Sequence, residues 1–82
     1  MTNHLRKLRE QRMQTSADST AWTQEGLSSR VKVSRQTIIA IEKGTYNPSL
    51  ELAFKLAHAF NLTIEEIFTY EGNEHESKTS DR

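Results

Sequence analysis

The segment from Ser34 to Gly44 carries side chains of the kind that can recognise base pairs. Ser34 can accept a hydrogen bond from a backbone N–H in a first helical turn, and Gly44 can adopt the left-handed conformation that ends a helix. At about 100° per residue, Ile38 and Ile41 project to one side of the helix between them. The outward half presents guanidinium, amide, methyl and ammonium groups from Arg35, Gln36, Ala40 and Lys43. Such a helix has the chemistry that reading a major groove needs, although an ordinary amphipathic surface helix accounts equally well for these residues alone.

A second capped helix is predicted directly before this one. Thr23 can cap a helix that runs to Val31, and the carboxylate of Glu25 suits the positive end of its dipole. Lys32 and Val33 then form a turn too short for anything but a sharp corner. Two capped helices joined in this way form a helix-turn-helix, in which the first helix crosses the DNA backbone and the second enters the groove.

Helical periodicity predicts three further helices and no strand of consequence. They run from Asn3 to about Gln14, from Leu50 to Phe60 and through Ile64 to Phe68, with Ser49 and Thr63 as caps of the last two. Residues 15–20 are small and polar, compete for their own backbone hydrogen bonds, and predict a mobile loop. The sequence therefore predicts an all-α, compact five-helix domain.

Composition and length limit the possibilities further. Eighty-two residues make one small domain with a modest core, expected here over residues 1–70 with a loop insertion at about 13–21. Residues 71–82 contain no apolar side chain and are expected to form a disordered polar tail. Cysteine is absent, which excludes disulfides and cysteine-metal sites. Because the N-terminus has no continuous apolar segment, we expect neither a secretory signal nor a membrane span, and a cytoplasmic location by default.

The charges balance over the whole chain but not along it. Residues 1–45 hold eight basic and four acidic side chains, whereas residues 46–82 hold three basic and seven acidic ones. A neutral chain can thus present one basic face, and phosphate binding depends on the local field. The alternative is a merely solvated surface.

Several short motifs together resemble one known family. They are Thr23-Gln-Glu25, Val33-Ser-Arg-Gln-Thr-Ile38, Ile41-Glu-Lys-Gly44, Tyr46-Asn-Pro-Ser-Leu-Glu-Leu52 and Ile64-Glu-Glu-Ile-Phe68. This pattern closely resembles the phage-repressor-like helix-turn-helix family, also called the xenobiotic-response-element family, over residues 3–70 apart from one insertion. The resemblance implies a lambda-repressor-like domain that binds double-stranded operator DNA, usually as a two-fold dimer on a pseudo-palindromic site.

The resemblance also implies roles for individual residues. Arg35, Gln36, Thr37 and Ala40 fall where family members contact base edges, and Thr23, Gln24, Ser34, Lys43 and Thr45 fall where phosphate contacts are expected. The chemistry agrees, because arginine suits guanine, glutamine suits adenine, and an alanine methyl suits a thymine methyl. Arg9 and Glu42 match positions that form a structural ion pair between the first helix and the recognition helix.

Three features depart from the family pattern. Nine residues separate Arg12 from Trp22, where the family needs only one or two. Lys32 stands where the family prefers glycine, and a left-handed turn at this lysine costs about 1–2 kcal/mol. Ser28 replaces a small alanine at the close contact of the two helices.

The sequence offers few features that would support a function other than operator binding. No enzyme, cofactor or metal site is expected, because the histidines are scattered and the chain has neither a phosphate-binding glycine loop nor a nucleophile motif. A protein-interaction module, such as an antitoxin that uses the same fold, remains the alternative, and an unidentified protein partner stays possible. A homodimer is expected from the family and from a surplus of apolar residues, namely Leu50, Phe54, Ile64 and Tyr70.

Overall fold

The computed structural model describes residues 2–69 as short helices and two very short strands. The five α-helices are α1 (Leu5–Thr15), α2 (Gln24–Val31), α3 (Arg35–Lys43), α4 (Leu50–Phe60) and α5 (Ile64–Ile67). A 3-10 helix, Ser19–Trp22, lies between α1 and α2, and the strands are β1 (Thr2–Asn3) and β2 (Phe68–Thr69). The predicted all-α, five-helix fold is therefore confirmed, whereas the predicted tail at residues 71–82 lies outside the described residues. Within residues 2–69, every helix is too short or too polar for a bilayer crossing.

Side-chain caps begin four of the five α-helices, where the sequence predicts them. The hydroxyls of Thr23, Ser34, Ser49 and Thr63 each accept a hydrogen bond from the backbone N–H three residues later. The Glu66 side chain also accepts the backbone N–H of Thr63, so α5 opens with a capping box. Each cap satisfies a backbone donor that would otherwise have no partner at the start of its helix.

The core lies where the helices meet. Its largest fully buried side chains come from every α-helix and comprise Leu5, Leu27, Ile38, Ile41, Leu56, Phe60 and Ile67. The ring of Trp22 packs on that of Phe60 at 4.8 Å between centroids and 45° between planes. Tertiary packing therefore holds α2 and the segment before it, although Gly26, Ser28 and Ser29 are weak helix formers.

The segment predicted as a mobile loop is helical at both ends, and residues 16–18 between them form a loop. Helix α1 extends to Thr15, and Asp18 then caps the 3-10 helix by accepting hydrogen bonds from the N–H and hydroxyl of Thr20. The backbone at Thr20 and Ala21 lies directly on α2, where a Cβ at Gly26 would overlap the carbonyl oxygen of Thr20. The loop prediction was therefore wrong for Thr15, Ser19 and Thr20. The glycine permits a close backbone approach that polar composition does not reveal.

A two-stranded ladder joins the two ends of the described chain. Thr2 pairs with Thr69 and Asn3 pairs with Phe68 in antiparallel register. The Asn3 side chain donates a hydrogen bond of 2.9 Å to the carbonyl oxygen of Ile41 near the end of α3. Strands of two residues are too short for periodicity to reveal, which is why the sequence predicted none.

Candidate nucleic-acid interface

The corner between α2 and α3 is a left-handed turn at a lysine. Lys32 has φ 64° and ψ 45°, and its N–H approaches the carbonyl oxygens of Ser28 and Ser29. Val33 N–H donates to the Ser28 carbonyl at 3.0 Å, and Ser34 caps α3 directly afterwards. The turn expected from the family is thus kept despite the lysine, at a cost of about 1–2 kcal/mol.

Ser28 occupies the tight contact at this corner without leaving a polar group unsatisfied. The residue is only 3% exposed. Its hydroxyl donates a hydrogen bond of 2.8 Å to the carbonyl oxygen of Glu25 within the same helix. A serine therefore fits where the family has alanine, because the buried hydroxyl has a local acceptor.

Helix α3 points its apolar side inward and its polar side outward. Ile38 and Ile41 are fully buried. Of the residues predicted to contact bases, Arg35 and Gln36 are exposed, whereas Thr37 and Ala40 are half-buried. The Thr37 hydroxyl lies 3.0 Å from the Ser34 hydroxyl, so these two side chains share a hydrogen bond at the start of the helix.

The residues predicted to contact phosphates differ in whether their side chains already form hydrogen bonds within the protein. The Thr23 hydroxyl accepts the N–H of Gly26 and donates to the Thr20 carbonyl, both at 3.0 Å. The Thr45 hydroxyl donates to the Ala40 carbonyl at 3.2 Å. Lys43 is exposed and takes part in none of the ion pairs within residues 2–69. Only this last side chain is wholly available to an incoming anion.

An open cleft of about 660 Å³ contains four of the nine residues predicted to contact DNA. It lies between α1, the start of α2 and the outer side of α3. Its lining includes Thr23, Gln24, Arg35 and Lys43 from the predicted DNA-contacting set. The described part of the chain contains no cluster of three His, Asp or Glu side chains that could hold a metal ion. The lining also includes three glutamates, two of which pair with lining arginines, so Arg35 and Lys43 are the lining cations that take part in no ion pair within residues 2–69.

A buried ion pair forms the inner wall of this cleft. Arg9 Nε lies 2.7 Å from Glu42 Oε2, and Arg9 Nη2 lies 3.3 Å from Glu42 Oε1. The two side chains are 8% and 4% exposed. Because the contact is bidentate and shielded from water, it fixes α1 against α3 far more firmly than a surface pair could.

Two further groups join this ion pair, and sequence reasoning missed both. Arg9 Nη1 donates to the backbone carbonyl of Trp22 at 3.3 Å. Gln24 Nε2 donates to Glu42 Oε1 at 3.1 Å. The glutamine predicted to contact a phosphate is thus held by the carboxylate of the recognition helix. This hydrogen bond orients the amide, and no local sequence signal indicates a contact across 18 residues.

Two arginines of the basic half of the chain bind the end of α4 and do not line the cleft. The guanidinium of Arg30 lies 4.4 Å from the Trp22 ring centroid and donates to the Ala59 carbonyl at 3.2 Å. That of Arg12 lies 5.2 Å from the same ring and donates to the Phe60 carbonyl at 2.6 Å. Both cations stabilise the negative end of the α4 dipole and stack on an aromatic face. The basic surface available to DNA is therefore smaller than the charge count predicts.

Comparison with known proteins agrees with this arrangement. The family model described as helix-turn-helix matches residues 21–67, from the 3-10 helix through α5. The chain belongs to the phage-repressor-like helix-turn-helix regulators. Members of this family bind DNA and regulate transcription.

Relatives of this regulator come from archaea and bacteria. The chain is 64% identical over 52 residues to an HTH-type transcriptional regulator of Methanocaldococcus jannaschii, covering 63% of this chain and 79% of that protein. It is 56% identical over 52 residues to a regulator of Archaeoglobus fulgidus, covering 63% and 73%. It is 50% identical over 50 residues to the regulator YgzD of Bacillus subtilis, covering 61% and 76%.

Proposed function

We propose that this regulator binds a pseudo-palindromic operator in double-stranded DNA as a homodimer and represses the genes beside it. The observation that carries the proposal is the division of α3 into two faces. Ile38 and Ile41 are fully buried, while Arg35 and Gln36 extend into solvent. A capped helix with this division can enter a major groove without exposing its apolar side.

The base contacts are assigned by matching functional groups. Arg35 pairs with the two acceptors of a guanine edge, and Gln36 pairs with the acceptor and donor of an adenine edge. Ala40 packs its methyl group against a thymine methyl one turn further along the helix. The hydroxyl of Thr37, which already bonds to Ser34, supplements these contacts at the start of the helix.

The phosphate contacts surround the recognition helix. Gln24 is the first residue of α2, where backbone N–H groups and the helix dipole favour an anion. Lys43 adds a flexible positive charge at the other end of the cleft, and Thr23, Ser34 and Thr45 add hydroxyls. Glu42 holds the Gln24 amide in place, so little side-chain entropy remains to be lost when the phosphate binds.

Selection of binding sites from a random duplex library tests this proposal. We expect a two-fold-symmetric motif whose half-sites lie about one helical turn apart, with affinity that falls steeply as salt rises. The Gln11→Ala variant, altered at an exposed position of α1, serves as the control and should select the same motif. Failure of correctly folded protein to enrich any motif would refute operator binding and favour the interaction-module alternative.

A further inference from the structure

Helix α4 exposes two large apolar side chains that its own core does not use. Leu50 is 70% exposed and Phe54 is 53% exposed. Residues four apart share one face of a helix, so these two side chains form a single apolar stripe. The opposite side of α4 is buried through Leu52, Ala53, Leu56, Ala57 and Phe60. Tyr46, 47% exposed, stands in the loop that joins α3 to this helix.

Charged residues of both signs flank the apolar stripe. Phe54 lines a cleft of about 530 Å³ between α4 and the end of α2, together with Glu51, Lys55 and His58 of α4 and the cations Arg30 and Lys32 at the end of α2. Lys55 Nζ lies 3.5 Å from Glu51 Oε2, and their side chains are 45% and 80% exposed. A pair this exposed contributes little on its own, so either member can exchange its partner readily.

We infer that a second copy of this chain docks on this face, with the two α4 helices antiparallel across a two-fold axis midway between Leu50 and Phe54. In that arrangement Leu50 of each copy packs beside Phe54 of the other. Glu51 of each copy then lies within about one helical turn of Lys55 of the other, so opposite charges meet beside the apolar stripe. An isologous interface needs a surface that complements itself, and apolar side chains between opposite charges on one helix meet that need.

The exposed apolar area of Tyr46, Leu50 and Phe54 limits the strength of the dimer. A half-exposed aromatic side chain presents roughly 100 Å², so Tyr46, Leu50 and Phe54 together present roughly 300 Å². A stable interface buries about 800 Å² from each partner. Association in solution is therefore weak, and the contact acts mainly when two copies occupy adjacent half-sites. This inference rests on the proposed binding to a two-fold operator and names the surface that makes it cooperative.

Cooperative binding tests the inference on DNA. The Leu50→Ser/Phe54→Ser double variant removes the stripe without changing charge, and Gln11→Ser/Gln14→Ser makes the matched change at exposed positions of α1. We expect unchanged affinity for a single half-site and a loss of cooperativity on the full site of about ten-fold. Unchanged cooperativity would overturn the inference. Weaker half-site binding by the folded variant would also overturn it, because the stripe would then belong to the DNA-contacting surface.

A cross-linking experiment tests the interface without DNA. The chain has no cysteine, so Phe54→Cys and the control Gln11→Cys each introduce one unique thiol. At a protein concentration high enough to populate the weak dimer, a short bis-maleimide reagent should join two copies of the Phe54→Cys protein in higher yield than two copies of the control. Equal yields from the two variants would assign the stripe to a different partner and overturn the inference. If the specific cross-link forms but no DNA motif is enriched, the interface stands and operator binding is what fails.

Discussion

Replacing Glu42 by glutamine tests the buried ion pair that holds the recognition helix. The change removes the negative charge that faces the Arg9 guanidinium. Because the side chains of Arg9 and Glu42 are only 8% and 4% exposed, the positive charge that remains is buried without a counter-charge. Breaking such a pair costs about 3–5 kcal/mol of stability. The amide oxygen of the new glutamine can still accept a hydrogen bond from Arg9, so we expect a cost near the lower end of that range. A domain of this length has only about 4–12 kcal/mol of total stability. We therefore expect Tm to fall by about 12 °C or more, measured by circular dichroism.

Glu10→Gln provides the matched control for this measurement. Glu10 Oε2 lies 3.2 Å from Arg6 Nε, one turn away on α1, and the side chains of Glu10 and Arg6 are 50% and 71% exposed. Such a surface pair contributes less than about 1 kcal/mol, so Tm should change by only a few degrees. If Glu42→Gln destabilises the protein no more than Glu10→Gln does, the argument from burial is refuted.

An apolar double replacement separates the charge from the packing. Arg9→Met/Glu42→Leu removes both charges together, and we expect it to recover most of the stability that Glu42→Gln loses. Operator affinity should not recover, because the amide of Gln24 then lacks the carboxylate that orients it. Affinity that returns with stability would show that the carboxylate has no role in positioning Gln24.

Three further substitutions address particular features of the structure. Gly26→Ala should lower the free energy of unfolding by about 1–3 kcal/mol in urea titrations, because the alanine Cβ would overlap the Thr20 carbonyl oxygen. A higher free energy of unfolding, as expected if the helix propensity of alanine dominated, would contradict this. Lys32→Gly should raise Tm by a few degrees, because the loss of backbone strain in the left-handed turn outweighs the extra entropy that glycine gives the unfolded chain. A lower Tm would contradict this balance. Arg35→Ala should cost about 1–3 kcal/mol of discrimination at one base pair of the selected motif, whereas uniform weakening across sequences would assign Arg35 to a phosphate.

Local chemistry made the helix boundaries predictable. A cap joins a side chain to a backbone N–H only three residues away, so Ser34, Ser49 and Thr63 indicate their helices without any knowledge of the fold. Gly44 ends α3 in the left-handed conformation for an equally local reason. Periodicity likewise identified Ile38 and Ile41 as buried, because an inner face repeats every three to four residues.

The directions of the long charged side chains were not predictable in this way. Arg12 and Arg30 count as basic residues in the sequence, yet both bond to carbonyls at the end of α4. These contacts join residues 48 and 29 positions apart. A charge count treats every cation as available to a partner, whereas the packing of α4 against α1 and α2 withdraws two of them from the DNA-facing side.

The sequence by itself determined the five helices and the sharp corner between α2 and α3, and its resemblance to a family predicts which residues contact DNA. Tertiary structure alone decided that the 3-10 helix lies on Gly26, that Gln24 bonds to Glu42, and that Leu50 and Phe54 remain uncovered. The physical reason is the range of the interactions. Caps and periodicity act within one or two turns, whereas burial and ion pairing depend on surfaces that meet only when distant segments pack together.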